Sequence, residues 1–403
     1  MDIIQEDSMA NSEVSRRTFV GAAISAARVV GANDRIRLGV IGAGGRGQHL
    51  IRMAKAAGGD KIEWVAVCDA WDQRRDEAAA LIGSPVAKIA DYRALLDRKD
   101  IDGVIVATLD HHHAHMAAEA CRAAKDVFVE KPMTSQPMQG HDLVKAVRET
   151  NRIVQVGVQQ RSIAHFIEAK QRFFDSGLIG QVNMVRTLWN ANSGYLTPVP
   201  PGVEQKPAGL DWDAVLGWLP KIPWDPKRYF NRFAYWDFAT GGQTGGLFVH
   251  MVDVVHWYLN IRRPVSAVAL GGIYRYNDGR DTPDNINFIV DYPNLNVTFE
   301  ATITDMIGKE SADIVFMGSG GRLNIFRYGY SFIRADDPKG ANPITSKGGP
   351  EPPHMGNWLD CMRTRNKPNA DVVEGHYSAM SCHIGNMAYR QKARVEWKKE
   401  WDV

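Results

Sequence analysis

Residues 35–47 read RIRLGVIGAGGRG, an apolar run that passes without a linker into glycines at Gly42, Gly44 and Gly47. This pattern allows little other than a buried strand turning sharply into a helix. The first glycine suits a tight turn, the second the close approach of a pyrophosphate to the backbone, and the third the packing of helix on strand. A helix over 48–57 then directs its free N–H groups and the positive end of its dipole at that anion. The run at 64–68 reads as a second strand and ends on Asp69, at the spacing where a carboxylate accepts hydrogen bonds from the adenosine ribose. These features in order predict a dinucleotide site. Asp69 predicts NAD, since a carboxylate there repels the 2′-phosphate of NADP. Arg74 and Arg75 leave NADP open, unless they are solvated charges on the next helix.

The alternation continues downstream, with strands at 102–108, 127–130 and 153–157 separated by helices at 114–124 and 142–150. It predicts an α/β fold with a doubly wound parallel sheet, a Rossmann domain over 34–160. Ligands of such sheets lie beyond the carboxyl ends of the strands. Three motifs fall there: TLDHHH at 108–113, Glu130-Lys131-Pro132, and Gln159-Gln160-Arg161. Gln159 is placed with the cofactor on that ground.

The nucleotide fingerprint, a T-x-x-x-x-H strand end and an E-K-P strand end, in this order, resemble the Gfo/Idh/MocA family over nearly all of 35–397. These are the glucose–fructose oxidoreductase and inositol dehydrogenase relatives. The resemblance implies that Gly42, Gly44, Arg46, Gly47, Asp69, Thr108, His113 and Glu130 surround the cofactor, and that Lys131 sits at the nicotinamide and faces the substrate. It leaves His111, His112 and His115 at the substrate mouth or on the surface. With Asp110 these histidines are the densest set of metal-ligating residue types in the chain. Adjacent residues leaving a strand diverge, and no second cluster completes a coordination shell, so no metal is expected.

From Gln181 the pattern changes. Residues 161–403 read as an α+β domain with a large, mostly antiparallel sheet, its strands at 182–189, 266–276, 286–292, 295–304, 313–317 and 322–326. Helices are expected at 245–259, 355–363 and 377–391, the last returning to the first domain. The open face of such a sheet predicts a homo-oligomer. Residues 190–242 form a long connection rich in Pro, Gly and Trp; connections of that length are usually functional or disordered, and its many rings argue against disorder. Its rings, among them Tyr195, Trp212, Trp218, Trp224, Tyr229 and Phe233, with Arg228 and Arg232 beside them, suit stacking on a sugar; they suit equally a wall packed against the other domain or a partner subunit.

In the resembling dehydrogenases the next helix carries D-x-x-x-H, a carboxylate and an imidazole on one helix face. Here His250 matches the histidine, and Gly246 stands in the aspartate's place. Asp253 either partners His250 or forms a buried structural pair with His256, and the second is favoured.

Composition closes other classes. The 403 residues are 44% hydrophobic and 23% charged with a formal charge of +2: enough core for two or three folding units, and no field to attract nucleic acid or an anionic membrane. Cys68, Cys121, Cys361 and Cys382 have no CxxC spacing and read as small buried hydrophobes. The apolar stretch at 18–27 stops at Arg28, too short to span or insert in a membrane. It follows Ser15-Arg16-Arg17-Thr18-Phe19, which resembles a twin-arginine export signal. Residues 1–33 are therefore read as signal and linker of an exported, periplasmic protein, with a disordered basic arm on a cytoplasmic protein as the alternative.

Oxidising a carbinol requires a base for the hydroxyl proton while hydride leaves the same carbon. Lys131 and His250 are the candidates. Burial and the positive charge of an oxidised nicotinamide both disfavour the ammonium form of a lysine whose ordinary pKa is about 10.4. The expected function is an NAD(P)-dependent oxidoreductase acting on a hydroxyl of a sugar, polyol or glycoside. Two alternatives stay open. One is a redox-neutral, NAD-dependent glycoside-cleaving enzyme that oxidises a ring carbon transiently, suggested by the altered D-x-x-x-H and the wide aromatic loop. The other is a cofactor-binding protein without turnover.

Overall fold

The structure, a computed structural model, describes residues 35–191, 196–305, 313–348 and 353–403; the twin-arginine segment and Tyr195 lie outside them. Strands β1 (Ile36–Ile41), β2 (Ile62–Cys68), β3 (Ala87–Ile89), β4 (Gly103–Val106), β5 (Asp126–Val129) and β6 (Val154–Val156) pair in parallel in the order 3-2-1-4-5-6. Helices α1 (Gly45–Gly58), α2 (Asp72–Ile82), α3 (Tyr92–Leu96), α4 (His113–Arg122) and α5 (Gln139–Thr150) connect them. Every residue of β4 and β5 is buried, which is why both read as unbroken apolar runs: a parallel sheet covered on two faces has no polar face.

The second half runs through α6 (Ala164–Ala169), β7 (Val182–Asn190), α7 (Trp212–Leu216), α8 (Pro226–Phe230), α9 (Val249–Leu259), β8 (Ser266–Gly272), β9 (Asn285–Tyr292), β10 (Leu295–Thr302), β11 (Ile314–Gly318), β12 (Gly321–Phe326), β13 (Gly329–Arg334), β14 (Ile344–Lys347), α10 (Pro353–Thr364), α11 (Val372–Gln391) and β15 (Val395–Glu396). Its nine strands form one sheet in the order 14-13-12-11-7-10-9-8-15. Only β7 and β10 pair in parallel; the other neighbours are antiparallel. β9 alternates buried and open residues along its length, the period of a sheet with one covered face. Phe288, Val290, Val297 and Phe299 point inward to a core shared with Phe248, Val252 and Val255 and with Met380 and Ile384 of α11. The other face carries Val268, Leu270 and Ile289, all exposed.

Helices α10 and α11 both help to join the halves. On α10, Trp358 is fully buried and packs with Leu38, Val40, Ile51 and Phe128 of the first domain. Helix α11 lies mainly on β8 and α9 and also touches α5 and β6.

Strand β8 ends earlier than its apolar run because the buried Asp284 carboxylate accepts the N–H groups of Tyr274, Arg275 and Tyr276 at 3.0, 2.9 and 2.9 Å. Those bonds take the chain off the sheet. The helix expected from residue 245 opens instead with a wide, π-helical turn at Thr244–Phe248, packed so closely that a Cβ on Gly245 would stand 2.6 Å from the Thr240 carbonyl oxygen. The aromatic connection builds a small core of its own from Trp212, Leu216, Leu219 and Phe238, with Trp224 and Tyr229 against it.

Candidate active site

The glycine loop is built as its spacing requires. Gly42 has φ +88°, and a Cβ there would lie 2.6 Å from the Ala107 carbonyl. A Cβ on Gly47 would lie 1.9 Å from the Gly42 oxygen, whereas one on Gly44 would meet nothing within 4 Å. Two glycines thus bring α1 down onto the turn, and the third leaves open space in front of the helix N-terminus, a place for an anion. Asp69 accepts the N–H of Ala43 at 2.7 Å and that of Trp71 at 2.9 Å, one on each oxygen. Each oxygen keeps a second lone pair for a further donor. Burial pushes this carboxyl up, against the two backbone bonds and the charges of Arg74 and Arg75. Both arginines are engaged on the protein: Arg75 donates to the Asp69 carbonyl at 2.6 Å, and Arg74 pairs with Glu77 at 2.8 Å and lies over the Trp71 ring.

Glu130 and Lys131 follow β5. Glu130 is buried and accepts from Arg46 at 2.7 Å; a Cβ on Gly157 would crowd the same carboxylate at 3.0 Å. Burial disfavours its charge, but Arg46 and Lys131 more than offset this and hold the carboxyl below its usual value. Lys131 donates to the Gly246 carbonyl at 2.6 Å. Burial lowers its pKa to about 8, with Glu130 and Asp110 opposing and Arg232 and Arg46 adding to the fall. That setting suits proton transfer near neutral pH.

The histidine-rich turn is a brace. His113 is buried and donates from Nδ1 to the Pro132 carbonyl at 2.8 Å, with Nε2 3.2 Å from the Thr108 carbonyl, so one ring ties the two motifs together. His111 and His112 both place Nε2 on the Val215 carbonyl, at 3.1 and 2.9 Å. Burial drives their pKa values down to about 2 and about 4, so both are neutral donors to α7. Among the described residues no three His, Cys, Asp or Glu side chains gather as metal ligands.

These contacts seat the aromatic connection on the strand ends. Leu210 bridges to Trp71, Asp72 donates to the Gly209 carbonyl, Asp211 to that of Ala70, and the Trp218 indole to that of His111. Most of its rings are wall: Trp212 and Phe238 are buried in the small core. Trp218 and Phe233 are about half exposed and face the space beneath.

That space is a cavity of about 1290 Å³, larger than a site for one drug-sized ligand. Gly42, Gly44, Arg46, Asp69, Thr108, His113, Glu130 and Lys131 of the first domain line it, as do Arg232, Phe233, Gln243, Gly246 and Thr282 of the second, the two sets meeting where Lys131 touches Gly246.

Three expectations fare differently. Gln159 and His250 do not line the cavity. The π-helical turn sets the Gly246 carbonyl opposite Lys131, and His250 lies one turn further along, its Nδ1 buried without a hydrogen-bond partner and its pKa held well below the ordinary value by burial and by Lys131 and Arg46. Asp253 pairs with neither histidine: it accepts from Arg161 at 2.8 Å and Ser378 at 2.9 Å, while His256 bonds to the Tyr292 hydroxyl at 2.7 Å. An arginine outcompetes a neutral imidazole for a buried carboxylate because it brings a full opposite charge and several donors. Sequence alone missed the pairing of Asp110 with Arg232. Its only local signal was an acid inside the histidine run.

Comparison with known proteins agrees with this layout. Residues 36–158 match the family model GFO_IDH_MocA, an oxidoreductase family with an NAD-binding Rossmann fold, and residues 197–402 match its C-terminal alpha/beta domain. The inositol 2-dehydrogenase of Salmonella typhimurium is 26% identical over 227 residues, 56% of this chain and 55% of that protein. That of Gluconacetobacter diazotrophicus is 34% identical over 154 residues, 38% of this chain and 44% of that protein. The matches thus span about half the length of these relatives or less. Among solved structures, levoglucosan dehydrogenase in complex with NADH and levoglucosan superposes with a TM-score of 0.69 at 18% identity, covering 90% of this chain and 99% of that one. The WlbA dehydrogenase of Bordetella pertussis, in complex with NADH and UDP-GlcNAcA, gives 0.67 at 18% identity with the same coverage. Likeness at that identity establishes the fold.

Proposed function

Because this chain belongs to the oxidoreductase family whose NAD-binding and C-terminal domains it matches, we propose that it moves hydride between NAD and the hydroxyl-bearing carbon of a sugar, polyol or glycoside. The observation that carries this reading is Lys131, with its pKa lowered to about 8, in a cavity that begins at a glycine cradle and ends between half-exposed rings. NAD fits the residues present: the open space before Gly44 suits its pyrophosphate, and Asp69, with its spare lone pairs, suits the ribose diol and disfavours a 2′-phosphate. When bound, the nicotinamide supplies the hydride acceptor. The chain's part is to hold the carbinol and take its proton: Lys131 Nζ in its neutral form accepts the hydroxyl proton as the carbon–oxygen double bond forms, and Glu130 and Arg46 keep the neighbouring charge balanced. Trp218 and Phe233 offer ring faces to the C–H edges of a sugar. Named relatives that act on inositol, and neighbours bound to levoglucosan or a sugar nucleotide, support this class of substrate.

A redox-neutral glycosidase is the second reading, favoured by the roof. Leu210, Asp211 and Trp218 pin the connection across the mouth of the nucleotide site, which suits a cofactor that stays bound from one turnover to the next. One experiment separates the two: NAD-loaded protein is mixed with inositols, aldoses, anhydrosugars and aryl glycosides while nicotinamide absorbance and aglycone release are followed together. Stoichiometric NADH supports the dehydrogenase. Aglycone release with a trace of NADH supports the glycosidase, and neither signal from NAD-loaded protein overturns both.

The same reading includes a homo-oligomer, in which a second copy covers the face carrying Val268, Leu270 and Ile289; sedimentation as a monomer at micromolar concentration contradicts it. It also includes export through Ser15–Phe19, which Arg16→Lys with Arg17→Lys would abolish in a fractionation assay.

A further inference from the structure

Asp110 is an acid inside a run of histidines, two of which, His111 and His112, hold the Val215 carbonyl of α7. It is 1% exposed. One oxygen accepts Arg232 Nη1 at 3.1 Å, and the other accepts both the N–H and the hydroxyl of Thr240, at 3.0 and 3.1 Å. Each partner leads to the reacting centre by a different path. The Thr240 carbonyl accepts the Gly245 N–H at 2.8 Å and the Thr244 hydroxyl at 2.8 Å, so it anchors the π-helical turn whose next residue, Gly246, offers its carbonyl to Lys131 at 2.6 Å. Arg232 lines the cavity with its guanidinium over the Phe233 ring, at 4.4 Å from the centroid. Phe233 in turn lies 3.3 Å from where a Cβ on Gly246 would stand. The aspartate missing from the helix thus has no side chain in its place, and a carboxylate from the other domain reaches the same turn from behind.

We propose that Asp110 is the positioning carboxylate of this site: it holds Arg232 at the substrate end of the cavity and the Gly246 carbonyl on Lys131, and its charge balances that of Arg232 in the field at the lysine. This rests on the reading of Lys131 as the proton acceptor. The charged and titratable groups around Lys131 are Glu130 beside it, Arg46 from α1, Asp110 from the turn before α4, Arg232 from the connection, and His250 and Cys382 from α9 and α11. Of these, Asp110 and Arg232 form one ion pair with opposite effects, so removing either member alone has a sign.

The experiment reads Lys131 directly and requires no substrate. In full-length protein loaded with NAD, the rate at which acetic anhydride acetylates Lys131 is measured by mass spectrometry against pH, for wild type, Asp110→Asn and Arg232→Gln. Asp110→Asn shifts the titration down by about one pH unit and Arg232→Gln shifts it up by about as much. Titrations of both variants that coincide with wild type, or shifts of the same sign, overturn the proposal. A purely structural role for Asp110 predicts lower melting temperature without opposite shifts, and if Asp110→Asn does not fold, Arg232→Gln decides alone. If opposite shifts appear and no sugar or polyol reduces the bound NAD, the positioning role stands and the oxidoreductase reading falls.

Discussion

Two buried aspartates, Asp110 and Asp253, each hold an arginine far away in the chain, and the two pairs are built for different work. Arg161, with its side chain 6% exposed, is closed in by Asp253 and Glu374, the latter also held by Arg262 at 2.5 Å. Every charge there has a partner and none meets the cavity. Arg232 gives Asp110 one of its nitrogens and keeps its side chain 30% exposed in the cavity wall. A satisfied buried network fixes how its own elements pack, whereas a pair with one open side also presents charge to a ligand. The difference explains why Asp253, although it lies on the helix of the altered motif, is scaffold, and why Asp110, on the opposite domain, speaks to Lys131.

The largest test of this contrast is Asp253→Ala, which leaves Arg161 buried beside a hole and costs about 3–5 kcal/mol of stability. Chemical denaturation measures it, and the acetylation profile of Lys131 stays where it was. A stability near that of wild type contradicts the scaffold assignment.

Acid separates the two regions next. Turnover in the oxidative direction falls as Lys131 gains its proton, below about pH 8. The scaffold yields later. His354 donates to the Val156 carbonyl at 2.8 Å and His376 to that of Trp401 at 2.7 Å, and burial lowers both to about 4. A histidine depressed in the folded state gives stability that is complete above its unfolded value of about 6.5 and is lost as pH falls through about 4, roughly 3 kcal/mol for each ring. Activity and melting temperature measured from alkaline to acid should therefore fall in two separated steps, activity first; a single coincident step breaks the comparison.

Gly246→Ala is the smallest perturbation. The new methyl meets only the half-exposed Phe233 ring, at 3.3 Å, so stability changes by about 0.5 kcal/mol or less and the Gly246 carbonyl stays on Lys131. A large loss on thermal melting shows instead that glycine is required for the shape of the turn.

The two regions also differ in how far they could be read from the chain. The strand, glycine loop, helix and Asp69 were legible because each depends on neighbours within a few residues. Glu130-Lys131 stood out for the same reason, at the end of a fully buried strand. The link from Asp110 to Arg232 and Thr240 crosses 122 and 130 residues, and no periodicity carries a pairing over such a distance. The π-helical turn was illegible because its sequence fits an ordinary helix; only the packing of Gly245 on Thr240 selects the wider one. The rings of 196–242 were visible, but whether they made wall or platform was decided by Val215 and Leu210 finding partners on the other domain. The strands β13 and β14 passed unread because they are short and lie beyond the last clear alternation.

On the proposed mechanism Lys131 takes the proton while NAD takes the hydride, and a single-turnover comparison reads both. Wild type and Lys131→Met are loaded with NAD to equal occupancy, mixed rapidly with the best polyol or sugar from the panel, and followed by nicotinamide absorbance through one turnover. NADH formation is expected to slow by about 10²- to 10⁴-fold in the variant with NAD affinity unchanged. NADH appearing in Lys131→Met at the wild-type rate would contradict it.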